Sequence, residues 1–186
     1  MSTHQIIPPH GGYRELKSYQ TTEIIYDATV VFCNQFIDKR SRTVDQMVQA
    51  ARSGKQNIAE GCMASGTSKK TELKLIGVAR ASLEELLLDY QDFLRQNDLE
   101  LWNKENPHAQ TIRQLAYTKN RSYKTYRTYI DHAPAETAAN TLVCLIHQAN
   151  YLLDKQLKKL EQQFIYEGGI TEKMYQARKS MKQNKE

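Results

Sequence analysis

Four stretches of this chain repeat apolar residues at intervals of three and four, the period of an α-helix with one buried face, and this patterning constrains the fold more than any other feature. In the first, Ile24, Ile25, Ala28, Val31, Phe32 and Phe36 predict a helix over 19–38. In the second, Val44, Met47, Val48, Ala51, Ile58 and Cys62 predict one over 43–63, with Ser41 and Thr43 as cap residues and Gln46 completing a capping-box spacing from Thr43. The middle of that stretch narrows to Ala50, Ala51, Ser53 and Gly54, small residues that let a neighbouring helix come close. The third, 69–97, carries Leu73, Ile76, Leu83, Leu87, Tyr90 and Leu94 on one stripe and Leu75, Ala79, Leu86 and Phe93 beside it. It rises roughly 44 Å, and so broad an apolar surface implies burial on two sides. The fourth, 135–166, runs through Leu142, Leu145, Ile146, Ala149, Leu152, Leu153, Leu157, Leu160 and Phe164, with Pro134 suited to a first helical position, Glu136 placed to favour the N-terminal dipole, and Gly168-Gly169 as a stop.

The connections decide the topology. Residues 64–68 are a short turn of cap formers that permits only a reversal. Between 98 and 133 the period weakens: Pro107 breaks the chain, Ile112, Leu115 and Ala116 suggest a short helix, and Tyr123, Tyr126 and Tyr129 a second. Thr171 can cap a last short helix reaching 183. The economical solution is an all-α, antiparallel up-down-up-down four-helix bundle, with a long partly helical crossover before the fourth helix and a short C-terminal suffix helix. Residues 1–12 read as a flexible arm, 13–167 as the bundle and 168–186 as a basic suffix. Only 8 Gly and 4 Pro in 186 residues argue against an all-β sandwich.

No run of about 18 apolar residues is present, and the opening Met1-Ser2-Thr3-His4-Gln5 lacks the regions of a signal peptide, so the expected location is cytoplasmic, with no membrane contact. Cys33, Cys62 and Cys144 are too far apart for a metal knuckle and odd in number, which favours reduced, buried thiols. A net charge of +5 permits a nucleic-acid partner without requiring one.

Catalytic constellations are not apparent. The one Glu-x-x-His spacing, Glu105 to His108, has no second copy and sits in the broken crossover, against what a di-iron bundle requires; His132 and His147 read as a loop and a helix-face histidine. Without a phosphate loop or a nucleophile elbow, the expectation is a non-enzymatic protein with no cofactor and no bound metal. The segment Tyr117 to Tyr129 interleaves four tyrosines with Lys119, Arg121, Lys124 and Arg127 and contains no acid. Its rings could stack on bases while its cations neutralise phosphates, with Tyr123 and Tyr126 among the stacking candidates. Equally, tyrosines three apart could roof the bundle with their stems while the cations stay solvated. Arg178, Lys179 and Lys182 in the basic tail offer the same two readings. Lys69, Lys70 and Lys74 open the third helix, where the dipole disfavours cations and an external anion would help.

The run Asn57-Ile58-Ala59-Glu60-Gly61 resembles the characteristic motif of a bacterial family of four-helix-bundle proteins first noticed in intervening sequences of the 23S ribosomal RNA gene. Tyr13-Arg14-Glu15-Leu16-Lys17-Ser18-Tyr19-Gln20 resembles that family's lead-in to its first helix, and residues 76–86 its third, with Ala81 where the family more often has glycine. Residues 167–173 resemble the start of the suffix domain of one subgroup. The resemblance implies a non-enzymatic, ring-like homopentamer. One related protein, the accessory variability determinant of diversity-generating retroelements, partners a reverse transcriptase and binds nucleic acid. On the residues themselves, Asn57 and Glu60 read as helix-end groups that hydrogen-bond nearby backbone, and Gly61 as relief of crowding. Together these lead to an expectation of a homo-oligomeric interaction module, an accessory protein that contacts RNA or DNA through basic surfaces. The competing class is a protein scaffold or accessory subunit with no nucleic-acid binding of its own.

Overall fold

A computed structural model describes Ile7 and residues 9–183, and among them every regular element is helical. The four long helices are α1 (Lys17–Phe36), α2 (Arg42–Ala64), α3 (Lys69–Gln96) and α6 (Ala135–Glu167); the crossover carries α4 (Pro107–Leu115) and the single turn α5 (Tyr123–Tyr126), and α7 (Ile170–Gln183) follows α6. No helix among the described residues is long and apolar enough to cross a membrane.

α1 packs against α2 and α6, and α3 packs against the same two helices, so each of the four long helices has two of the others as neighbours. Ile25, Phe32, Met47, Ile58, Leu83, Leu86, Tyr90, Leu142, Leu145 and Ile146 are fully buried between them. Phe32 anchors one end of this core through edge-on contacts with Tyr90 and Phe93, at ring separations of 5.0 and 4.9 Å. Most of both stripes of α3 is consumed within the chain, since Ile76, Ala79, Leu83, Leu86, Leu87, Tyr90 and Leu94 are buried and Leu73, Leu75 and Phe93 partly so. The breadth of that surface therefore reflects its two neighbours, α2 and α6, and is not in itself a sign of surplus apolar area for self-association.

The small residues of α2 set its distance from α3. A Cβ on Gly54 would lie 2.8 Å from Leu83 Cδ2, and one on Gly61 would lie 3.3 Å from Leu75 Cβ and 3.4 Å from the Glu72 carbonyl oxygen. Both glycines sit where helix backbone meets helix, as the sequence pattern anticipated. Glu72 is buried and paired with Lys69 at 2.9 Å, which accounts for one of the cations at the start of α3 without an external anion.

The helix starts differ in detail from expectation. Ser41 is the cap of α2, its side chain accepting from the Thr43 N–H at 3.2 Å, so Thr43 lies inside the first turn and forms no capping box with Gln46. Pro134 takes the cap position of α6, one place before the first helical residue. Pro107 opens α4 behind the cap residue Asn106, because its missing N–H is one that a first turn leaves unbonded anyway. In α7 the Glu172 carboxylate accepts from the Gly169 N–H at 2.9 Å, and Thr171 is already helical. The last residues of the expected N-terminal arm are seated on α2: the Gly11 N–H donates to the Cys62 carbonyl at 3.4 Å and the Cys62 thiol donates back to the Gly11 carbonyl at 3.0 Å.

Candidate nucleic-acid interface

The crossover reaches its tyrosine- and cation-rich stretch through Asn120, whose φ of 55° is the left-handed conformation that asparagine tolerates well. Ser122 then precedes α5, its N–H donating to Thr125 Oγ1 at 3.1 Å. This turn drives Tyr126 inward. Its ring is fully buried and burial raises its hydroxyl pKa, so the stacking role expected of it is corrected: no base can reach that face. Tyr123 and Tyr129 are partly buried and pack against the core, as the roofing alternative required.

Arg121 is engaged in the same way. One guanidinium nitrogen donates to Thr21 on α1, and the other lies 3.3 Å from Gln148 Oε1 on α6 and 3.4 Å from the Tyr126 hydroxyl. This charge ties the crossover to two long helices and is not open to a phosphate, contrary to expectation. Arg127 is exposed but held: its Nε donates to Asp131 at 2.6 Å, and the Tyr123 hydroxyl donates to the other oxygen of that carboxylate. The Tyr123 hydrogen bond, followed by that of Arg127, holds the Asp131 carboxyl below the usual range, while burial and Asp131 push the Tyr123 hydroxyl up. The sequence reading overlooked Asp131, although its position four residues after Arg127 is an ordinary helical pairing. Thr21 and Gln148, 100 and 27 residues from Arg121, left no local signal.

Lys119 and Lys124 remain. Both are exposed and neither has an ion-pair partner among the described residues. Tyr117, 90% exposed, is the one tyrosine of the segment whose ring stands in solvent. Lys124 also lines an open groove of about 580 Å³ between the start of α1 and the crossover, with Arg14, Lys17 and Arg121 on its walls and the acids Glu15, Glu23 and Asp27 among them. The groove is mixed in sign, and Lys119 is not among the residues that line it.

The Asn57, Glu60 and Gly61 motif divides. Asn57 Nδ2 donates to the Ser53 carbonyl at 2.9 Å and lies 3.1 Å from Ser53 Oγ, which in turn shares a 2.9 Å hydrogen bond with Ser82 of α3. Gly61 is buried at the α2–α3 contact. The Glu60 side chain is exposed and has no hydrogen-bond partner among the described residues, so it does not close the helix end; α2 continues to Ala64. His108, the histidine of the Glu-x-x-His spacing, stacks on Trp102 at 5.3 Å.

At the other end of the chain, Gly168 with φ 67° turns α6 into α7, and Lys173 pairs with Glu167 at 3.0 Å across the junction. Arg178 and Lys179 are exposed on α7 without ion-pair partners among the described residues, beside Met174 and Tyr175, which are 45% and 64% exposed. The side chain of Lys182 lies outside the described residues. No family model, curated protein or solved structure matches the chain.

Proposed function

We propose that α1, α2, α3 and α6 form an antiparallel up-down-up-down four-helix bundle, and that the protein is a non-enzymatic, self-associating module that contacts single-stranded RNA or DNA through the crossover. The observation that carries the nucleic-acid reading is the exposure of Tyr117, Lys119 and Lys124 on one short segment, with both cations unpaired. An exposed ring and two unpaired ammonium groups provide a stacking surface and phosphate contacts without base readout, which suits sequence-tolerant binding. Membership of the 23S intervening-sequence family, and with it a pentameric ring, rests on the resemblance of residues 57–61, of which Gly61 lies at the α2–α3 contact. A ring would repeat the patch and raise its effective concentration for one strand. Three unbridged cysteines, with burial driving the Cys33 thiol up to about 12, suit the reducing conditions of the cytoplasm.

The test is retention of single-stranded RNA and DNA as salt is raised from about 50 mM, where phosphate contacts give a log-linear loss of affinity. Changing Lys119 and Lys124 together to Gln is expected to weaken binding and flatten the salt slope by about 2, with helicity unchanged. Arg121 and Arg127 are left intact because they hold the fold. Absence of binding in the unmodified protein, or an unchanged slope in the double variant, overturns this site. The scaffold or accessory-subunit reading, for example as a subunit beside a reverse transcriptase, then takes its place, favoured by the number of crossover side chains already spent inside the chain.

A further inference from the structure

α7 is a 14-residue helix that packs extensively against no other helix among the described residues; its first turn, at Ile170 and Lys173, lies beside Lys69 at the start of α3. A helix of that length is marginal in water by itself, because nucleation is costly and most helical stability comes from a packed face. α7 nevertheless has such a face: Ile170, Met174, Ala177 and Met181 recur at spacings of four, three and four, the period of a helix-helix seam, and Met174 and Met181 are 45% and 60% exposed. Arg178 stands on the same side, four residues after Met174 and three before Met181. A parallel pairing of α7 with another α7 would set Arg178 and Lys179 against their own copies.

The chain displays one surface with the complementary pattern. On the outer side of α3, Ala81, Glu85 and Leu88 are exposed at the same spacings of four and three, with Leu88 55% and Val78 40% exposed at the ends of the stripe. Glu85 has no ion-pair partner among the described residues. Beside it, Asp89 has a buried carboxylate oxygen with no hydrogen-bond partner. The apolar positions bracket an acid on α3 and a cation on α7.

We infer that α7 docks on the outer face of α3 in a second copy of this chain, with Met174 and Met181 against the Ala81 and Leu88 positions and Arg178 against Glu85. This rests on the self-association proposed above and names the surface that carries it. A helix on one patch and its receptor on another make a heterologous contact, which repeats head to tail and closes into a ring when the rotation allows. It also assigns Arg178 to a protein contact in place of a phosphate.

The experiment is a charge swap on the full-length chain, read by light scattering at micromolar concentration. The unmodified protein is expected to be oligomeric, and Arg178→Glu and Glu85→Arg each to lower the mass towards the 21.5 kDa monomer. The double variant is expected to recover the oligomer, because every interface again meets an opposite charge, and an equimolar mixture of the two single variants is expected to raise the mass above that of either alone, because contacts between unlike chains again pair opposite charges while a ring of five keeps at least one contact between like chains. A rise in mass on mixing requires contact between chains, and folding of α7 back onto its own α3 cannot produce it. A monomeric unmodified protein overturns self-association and this inference together. An oligomer indifferent to both reversals, or one that neither the double variant nor the mixture restores, leaves self-association standing and overturns the α7 assignment alone.

Discussion

The crossover and α7 look alike as sequences and behave differently as structures. Each combines tyrosine with several lysines and arginines. In the crossover most of these groups are spent: Tyr126 is in the core, Arg121 bridges α1 and α6, and Tyr123 and Arg127 share Asp131. On α7 they are unspent, with Tyr175, Arg178 and Lys179 in solvent. The difference lies in what each segment passes over. The crossover is laid across the seam between α1 and α6, where acceptors such as Thr21 and Gln148 wait, while α7 leaves the long helices at Gly168 and touches them only through its first turn, at Glu167 and beside Lys69. A cation-aromatic segment is therefore a binding surface only to the extent that its own chain leaves it unpaired.

The strongest way to break this comparison is to truncate one tyrosine in each region. Tyr126→Ala removes a fully buried ring and is expected to cost about 3–5 kcal/mol, whereas Tyr175→Ala is expected to stay within about 0.5 kcal/mol in the main denaturant-unfolding transition. Equal effects would mean that the two regions do not differ as described. Next in size is Arg121→Ala, expected to cost about 1.5–3 kcal/mol through loss of charge-assisted hydrogen bonds to partly buried partners. Lys124→Ala, at an exposed side chain without an ion-pair partner among the described residues, serves as the near-neutral control by the same measurement. The smallest effect concerns acid. Because the Asp131 pKa is lower when folded, its contribution is present above the ordinary value of 3.8 and is lost as pH falls through the folded value. Asp131→Asn is accordingly expected to be less stable than the unmodified chain at neutral pH, with the gap narrowing below that range; a gap constant across an unfolding series from about pH 5 to pH 2 would remove the carboxylate from the account.

The long helices were readable because each carries its own evidence along its length. A stripe at helical period needs no knowledge of its neighbour, which is why 43–63 and 69–97 lie within a residue of Arg42–Ala64 and Lys69–Gln96. Gly54 and Gly61 were readable for a related reason, since a small residue in a helix stripe marks a close approach whatever approaches. Caps were less so: Ser41 and Thr43 are both capable residues, and the choice between them rests on a single N–H that turns towards Ser41. Glu60 had the right type and position for a helix-end role, but its side chain is exposed and the helix runs on past it to Ala64.

By itself, then, the sequence determined the helical class, the four long elements, the faces they bury and the chemical character of the two cation-rich segments, all of which depend on residues within a few turns of one another. Which side chains of those segments stay available was decided only by the tertiary structure. Arg121 is taken up by a threonine 100 residues earlier and a glutamine 27 residues later, while Lys119 and Lys124 are left in solvent. Hydrogen bonds between groups so distant along the chain depend on where the packed helices place them, and no local pattern encodes that.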